Sequence, residues 1–257
     1  MKAVILAGGY GTRLSEETGV RPKPMVPIGK YPIIWHIMKL YGHHGCTDFV
    51  ICCGYKGHLL KEYFLHYNLH HADLKVDLGT DQATFFNTEG ESWTVTLVDT
   101  GDGTMTGGRL KRVQEFVGED TFFMTYGDGV SDLNIRDTWD FHKAHGKLAT
   151  LTAVHEPGRF GTFTLEAETN VVNKFKEKPS EDVAWINGGF FVLEPEVFDY
   201  IEGDDTVWEV GPLRKLTDEG ELVAYRHPGF WQCMDTLNDK HVLENLWESG
   251  QRPWQVW

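Results

Sequence analysis

The chain has 257 residues, 41% hydrophobic and 24% charged, long enough to bury a full core as one large α/β domain. Its formal net charge of −14 excludes a protein that holds nucleic acid by its backbone, which needs a basic face. It does not exclude a nucleotide substrate, because one local cationic cluster with a divalent cation can hold a triphosphate within an acidic protein.

No apolar stretch approaches the ~20 residues of a membrane span, and the run after Lys2 is too short for a leader's apolar core. The cysteines are Cys46, Cys52, Cys53 and Cys233, with no CxxC pair, so neither a zinc site nor a redox motif is indicated. A cytoplasmic protein with reduced, buried thiols is expected.

Along the chain, Lys2 to Ala7 is a short β-rich run ended by glycines and reads as a buried parallel strand. The loop that follows contains Gly8, Gly9 and Gly11, whose missing Cβ atoms let backbone N–H groups approach phosphate oxygens. Thr12 adds a hydroxyl and Arg13 a fork of donors. Arg21-Pro22-Lys23-Pro24 then presents two more cations on a segment stiffened by proline. A dinucleotide fingerprint would need glycine where Leu14 stands. A Walker A loop would close on Gly-Lys-Ser/Thr, which Gly11-Thr12-Arg13 is not.

Apolar residues at helical spacing predict a helix over Tyr31 to Tyr41, stopped near Gly45, and another over Gly57 to Tyr67. Asp48 to Cys53, Thr94 to Asp99 and Thr121 to Tyr126 read as strands, with a helix over Gly108 to Val117. Residues 73–92 carry no clear pattern and are expected to be freely variable. The alternation implies right-handed crossovers and a mainly parallel sheet with helices on both faces.

In the second half, Lys147 to Val154, Gly161 to Leu165, Val171 to Phe175 and Gly189 to Leu193 are β-rich runs with few helices between them. They are expected to extend the sheet and to form a small β-rich, substrate-facing region. A helix over Thr236 to Trp247 precedes a Trp-rich tail. No domain boundary shows. Residues 1–257 read as one domain, with a functional division near residue 145.

Two acidic residues stand at strand ends. Asp128, flanked by Gly127 and Gly129, follows an apolar strand, where open parallel sheets bind ligands; alternatively it is a simple turn. Asp235 lies between the run from Phe230 and a predicted helix, and reads either as an N-cap or as a ligand.

Leu6 to Leu14 with Lys23-Pro24 resembles the sugar-phosphate nucleotidyltransferases. The resemblance implies a Rossmann-like fold and a nucleotide site at Leu6, Ala7, Gly8, Gly9, Gly11, Thr12, Gly127 and Asp128. Arg13 would engage the β- and γ-phosphates and Lys23 the phosphate nearest the reacting bond, both as catalytic groups. Asp128 and Asp235 match the family's magnesium-binding aspartates, a set that suits a cation keeping most of its water.

On the acceptor side, Phe175-Lys176-Glu177-Lys178-Pro179 resembles the family's Glu-Lys-Pro element. By that resemblance Glu177 accepts sugar hydroxyls, Lys178 holds the sugar's phosphate, and Asn187 and Gly188 line the sugar pocket. Arg159 occupies a loop beside the sugar, where it either contacts phosphate or is structural. Cys52 to Gly57, Thr94 to Val113, Thr125 to Gly129 and His227 to Gln232 are similar to the branch that joins CTP to glucose 1-phosphate. There Thr104 and Arg109 lie where the nucleotide is read, and the product is CDP-glucose. The residues alone do not select cytosine, since a backbone carbonyl can accept from its amino group. UTP or dTTP, or another phosphorylated acceptor, is the alternative.

A non-catalytic nucleotide sensor on the same scaffold would be expected to lack a phosphate-binding cation or metal acid, and Arg13, Lys23, Asp128 and Asp235 are all present. His43, His44, His66, His70 and His71 lack a carboxylate or cysteine at metal-ligand spacing and are expected to be exposed or interfacial. Trp247, Trp254 and Trp257 are expected either to pack on the chain's own core or to form an interface in a homo-oligomer, as family members assemble.

Overall fold

The computed structural model describes residues 1–87, 90–155, 162–165, 172–176 and 185–257. Its centre is a seven-stranded sheet. In chain order the strands are β1 (Lys2–Leu6), β2 (Asp48–Cys53), β3 (Thr94–Asp99), β4 (Phe122–Tyr126), β5 (Ala149–His155), β6 (Trp185–Leu193) and β7 (Leu222–Arg226). In space they run β7-β5-β6-β4-β1-β2-β3. β1 lies parallel between β2 and β4, β2 parallel to β3, and β5 parallel to β7. β6 runs antiparallel to both its neighbours, which makes the sheet mixed.

The helices that matter here are α1 (Ile33–His43), α2 (Gly57–Leu65), α3 (Thr106–Arg112), α4 (Ile135–His145), α5 (Pro212–Asp218) and α6 (Leu237–Glu248). Alternation along β1 sends Ala3 and Ile5 to one core and Val4 to the other. The first core is closed by apolar residues of α1, α2, α4 and α6. The second takes Leu110 of α3 and Leu213 and Leu216 of α5. Both faces of the sheet are covered, as the strand–helix alternation requires.

The second half holds more helix than its texture suggests. α4 has a mean hydropathy too low to stand out, yet Asn134 caps it by accepting from Arg136 and Asp137 N–H, and Gly146 ends it in the left-handed region. α5 opens on Pro212, a good first-turn residue. Residues 73–92 are not patternless either: Asp73–Asp77 and Gln82–Phe86 pair as an antiparallel hairpin. Thr162–Leu165 and Val172–Lys176 form a separate antiparallel pair, the small β-rich region expected from the sequence.

The Trp-rich tail folds onto its own core. Trp254 is fully buried and donates from Nε1 to His36 Nδ1 at 3.3 Å, while Trp257 sits edge-on to Trp35. Among the described residues no helix is long and apolar enough to cross a membrane.

Candidate active site

The site forms where β1 and β4 end side by side. Gly127 N–H donates to Leu6 O and Ala7 N–H donates to Cys52 O, each at 3.1 Å, so the sheet stays closed to the root of the glycine loop. Gly11 takes φ 61°, and a Cβ there would stand 2.8 Å from Thr18 Cγ2. Only glycine turns the chain at that point without strain. Gly8 serves a different need: a Cβ on it would lie 2.2 Å from Nη1 of Arg109.

Arg109 is buried beneath the loop. It donates to Thr100 Oγ1 at 2.8 Å, Gly101 O at 2.7 Å and Asp102 O at 3.1 Å. It thereby fixes the segment 100–104 that, with Thr104, faces the glycine loop across a cleft. The cleft has a volume of about 480 Å³ and is walled by Leu6 to Gly11, Thr104, Arg109, Gly127 and Asp128 among others. Of the residues expected around the nucleotide, only Thr12 stands outside this lining; it is exposed in the turn beyond the loop.

Lys23 enters on a single helical turn, Lys23–Met25, set by the extended Pro22 before it. Its ammonium lies between two carboxylates, donating to Asp128 Oδ2 at 2.7 Å and to Asp235 Oδ1. Arg13 Nη1 meets the other oxygen of Asp235 at 2.7 Å. The Lys23 side chain is 11% exposed and that of Arg13 75%. Burial alone would lower the Lys23 pKa, but attraction to Asp128 and then Asp235 outweighs it and holds the ammonium above its ordinary value.

A short ribbon joins the two acids. Gly129–Ser131 pairs antiparallel with Trp231–Cys233, and Met234 N–H donates to Asp128 O at 2.8 Å. Asp235 is not the N-cap of α6. Thr236 holds that place, its side chain accepting from Asp239 N–H in a capping box, which leaves the Asp235 carboxylate to the two cations.

A second cleft of about 220 Å³ opens beyond these residues, lined by Asn187, Gly188, Gly189 and Trp231. The two clefts share Arg13, Tyr126 and Asp128. Trp231 Nε1 donates to Gly188 O at 2.8 Å and Gly189 N–H to Asn187 Oδ1 at 2.8 Å, so this wall is fixed. Glu177, Lys178 and Arg159 lie outside the described residues. Glu209 belongs to the site with no motif to announce it, while Tyr126 and Trp231 fall within Thr125 to Gly129 and His227 to Gln232 but carry no assigned role there.

The nucleotidyl transferase family model matches residues 2–225. The chain belongs to that family. It is 60% identical over the full length of both chains to glucose-1-phosphate cytidylyltransferase of Salmonella typhi. It is 43% identical, again over both full lengths, to a Bacillus subtilis protein named as a probable glucose-1-phosphate cytidylyltransferase. Its fold superposes with a TM-score of 0.68 on UDP-glucose pyrophosphorylase complexed with UDP-glucose, at 17% identity and covering 97% of this chain and 98% of that one. That last likeness is one of fold.

Proposed function

We propose that the protein transfers a cytidylyl group from CTP to glucose 1-phosphate, giving CDP-glucose and pyrophosphate. The observation that carries this reading is the full-length 60% identity to the Salmonella typhi enzyme. The geometry supports it: two clefts meet at Arg13, Tyr126 and Asp128, the last holding the Lys23 ammonium, where a nucleotide in one and a sugar phosphate in the other would bring their phosphates together.

A sugar 1-phosphate is an oxyanion at neutral pH and needs no general base. The remaining obstacle is repulsion between two polyanions, so catalysis is positioning and charge neutralisation. Lys23 and Arg13 supply two positive charges, but both are held by Asp128 and Asp235, and the cluster is neutral as it stands. A divalent cation held by Asp128 and Asp235 would leave Lys23 and Arg13 available to phosphate. Asp128 and Asp235, converging on one ammonium, fit a hard divalent cation such as Mg²⁺ that retains its waters. When bound, Mg²⁺ would neutralise charge on the triphosphate. Lys23 is then the group to hold the α-phosphate as the sugar phosphate oxygen attacks in line and pyrophosphate leaves.

The exposed hairpin supports assembly with further copies of the chain. Leu74, Val76 and Phe85 share one face of it, each 39–49% exposed, and a lone two-stranded ribbon is marginally stable in water. A single-copy mass by light scattering would refute assembly. Use of CTP supports a cytoplasmic enzyme, in keeping with the buried, reduced thiols of Cys46, Cys52 and Cys53.

Pyrophosphate release with CTP, UTP, dTTP and GTP, each against glucose 1-phosphate and other sugar phosphates, tests the reading. CTP with glucose 1-phosphate is expected to give the highest kcat/KM. A preference for another pair would replace that assignment.

A further inference from the structure

Glu209 lines the first cleft beside Tyr126, which lines both, and every hydrogen bond around it points the same way. Thr106 Oγ1 accepts from Trp208 N–H at 2.9 Å and donates to Glu209 Oε2 at 2.8 Å. The Tyr126 hydroxyl donates to the other oxygen, Oε1. Having spent its only proton there, Tyr126 Oη is an acceptor, and it receives Asn187 Nδ2–H at 3.3 Å. Gly189 N–H at 2.8 Å from Asn187 Oδ1 fixes the other end of that carboxamide. Among the described residues, the second Nδ2–H of Asn187 has no partner, and Asn187 lines the second cleft.

We infer that Glu209 is a positioning residue for the phosphorylated acceptor. Through the Tyr126 hydroxyl it sets the Asn187 carboxamide so that a fixed N–H is offered to a hydroxyl oxygen of the sugar. This rests on the reading that the second cleft takes the acceptor.

The sign of the effect follows from donor counting. A carboxylate accepts from both Tyr126 and Thr106; a carboxamide in its place presents an NH₂ to one of them. If that one is Tyr126, its proton turns toward Asn187 Nδ2, donor against donor, and the carboxamide must swing. One oriented hydrogen bond to the acceptor is then lost, worth about a tenfold change in its binding.

The test is a double-mutant cycle of Glu209→Gln and Tyr126→Phe, read as KM for glucose 1-phosphate and for CTP separately, with thermal melts of each variant. Each single variant is expected to raise the acceptor KM about tenfold, and by more than it changes the CTP KM, since both residues also line the first cleft. Because Glu209 acts through Tyr126, the double variant is expected to match Tyr126→Phe alone. Multiplying effects, a rise in the CTP KM instead, or an unchanged acceptor KM in Tyr126→Phe would overturn the inference. If Glu209→Gln does not fold, an unchanged acceptor KM in Tyr126→Phe suffices to overturn it. Failure of the wild-type protein to turn over CTP and glucose 1-phosphate would instead refute the functional reading on which the inference stands.

Discussion

Replacing Lys23 by alanine separates what that ammonium does in the free protein from what it does in the reaction. In the free protein it bridges Asp128 and Asp235. Breaking a buried ion pair costs about 3–5 kcal/mol. Here the carboxylates are 29% and 21% exposed and can recover hydration, which reduces the loss to about 1–2 kcal/mol. A chain of this size should then melt about 2–8 °C lower. In the transition state the loss is larger, because a preorganised charge on the reacting phosphate is worth about 3–4 kcal/mol, or ~10²–10³ in rate. The two effects have opposite consequences for magnesium. Without the competing ammonium, the free Lys23→Ala protein should bind Mg²⁺ more tightly than wild type while turning over far more slowly. Calorimetric Mg²⁺ titration, together with pyrophosphate release, reads both. Turnover within tenfold of wild type, or weaker Mg²⁺ binding by the variant, would refute the assignment. The pH dependence follows the same pair. The folded-state pKa of Lys23 is raised above its ordinary 10.5, so its contribution is fully present below that pH and lost as pH climbs through the raised value. Wild type should show this alkaline loss of stability, and Lys23→Ala should lack it.

Three further outcomes are expected. Asp128→Asn should keep its melting temperature within a few degrees and lose turnover by ~10² or more, recovered only in part by excess Mg²⁺; wild-type kinetics would remove Asp128 from the metal site. Gly8→Ala places a methyl 2.2 Å from Arg109 Nη1, and because that guanidinium is held by Thr100, Gly101 and Asp102 it cannot step aside without breaking charge-assisted bonds. The expected result is a CTP KM raised about tenfold or more, with kcat less affected; an unchanged CTP KM would show that the loop and Arg109 yield freely. Finally, burial pulls His36 down to about 4 against the opposing hydrogen bond to Ile28 O at 3.0 Å, and the Trp254 N–H donated to Nδ1 requires that nitrogen to be unprotonated. A depressed pKa contributes stability above the unfolded value of 6.5 that is lost as pH falls toward 4, on the order of 3 kcal/mol. Tryptophan fluorescence should therefore report release of the C-terminal tail in that window, and His36→Gln should flatten it.

The parts of the fold legible in the sequence were those whose pattern is carried by the residues themselves. β2 and β3 fall at Asp48–Cys53 and Thr94–Asp99, as their β-rich runs predict. α4 was not legible because its sequence, IRDTWDFHKAH, is mostly polar and is held by its caps and by His142, whose ring contacts Thr150 at 2.8 Å and Glu194 at 3.2 Å. Those partners lie on other elements, and no window of the sequence contains them. The hairpin at 73–86 was missed for another reason. Its two strands alternate weakly, and among the described residues its apolar face belongs to neither buried core that would sharpen the pattern.

The same distinction runs through the site. Gly8, Gly11, Arg13 and Lys23 could be found because phosphate binding demands particular residue types close together in one loop. Asp128 and Asp235 are 107 positions apart in the sequence, and what brings them to one ammonium is the pairing of Gly129–Ser131 with Trp231–Cys233. Each acid alone admits a plain structural explanation, as turn or cap. Only the third partner decides between the explanations: Thr236 takes the cap, and the carboxylate of Asp235 is left facing Lys23. Glu209 carries no motif and Tyr126 has no role assigned within its own, because their meaning lies in the direction of a proton and not in a residue type. A glutamate next to a tryptophan is an ordinary surface pair in sequence. It becomes part of a site when Thr106 and Tyr126 both donate to it and so settle which way Asn187 must face. Cationic loops are therefore written locally, whereas the orientation of a neutral amide toward a sugar is a property of the assembled fold.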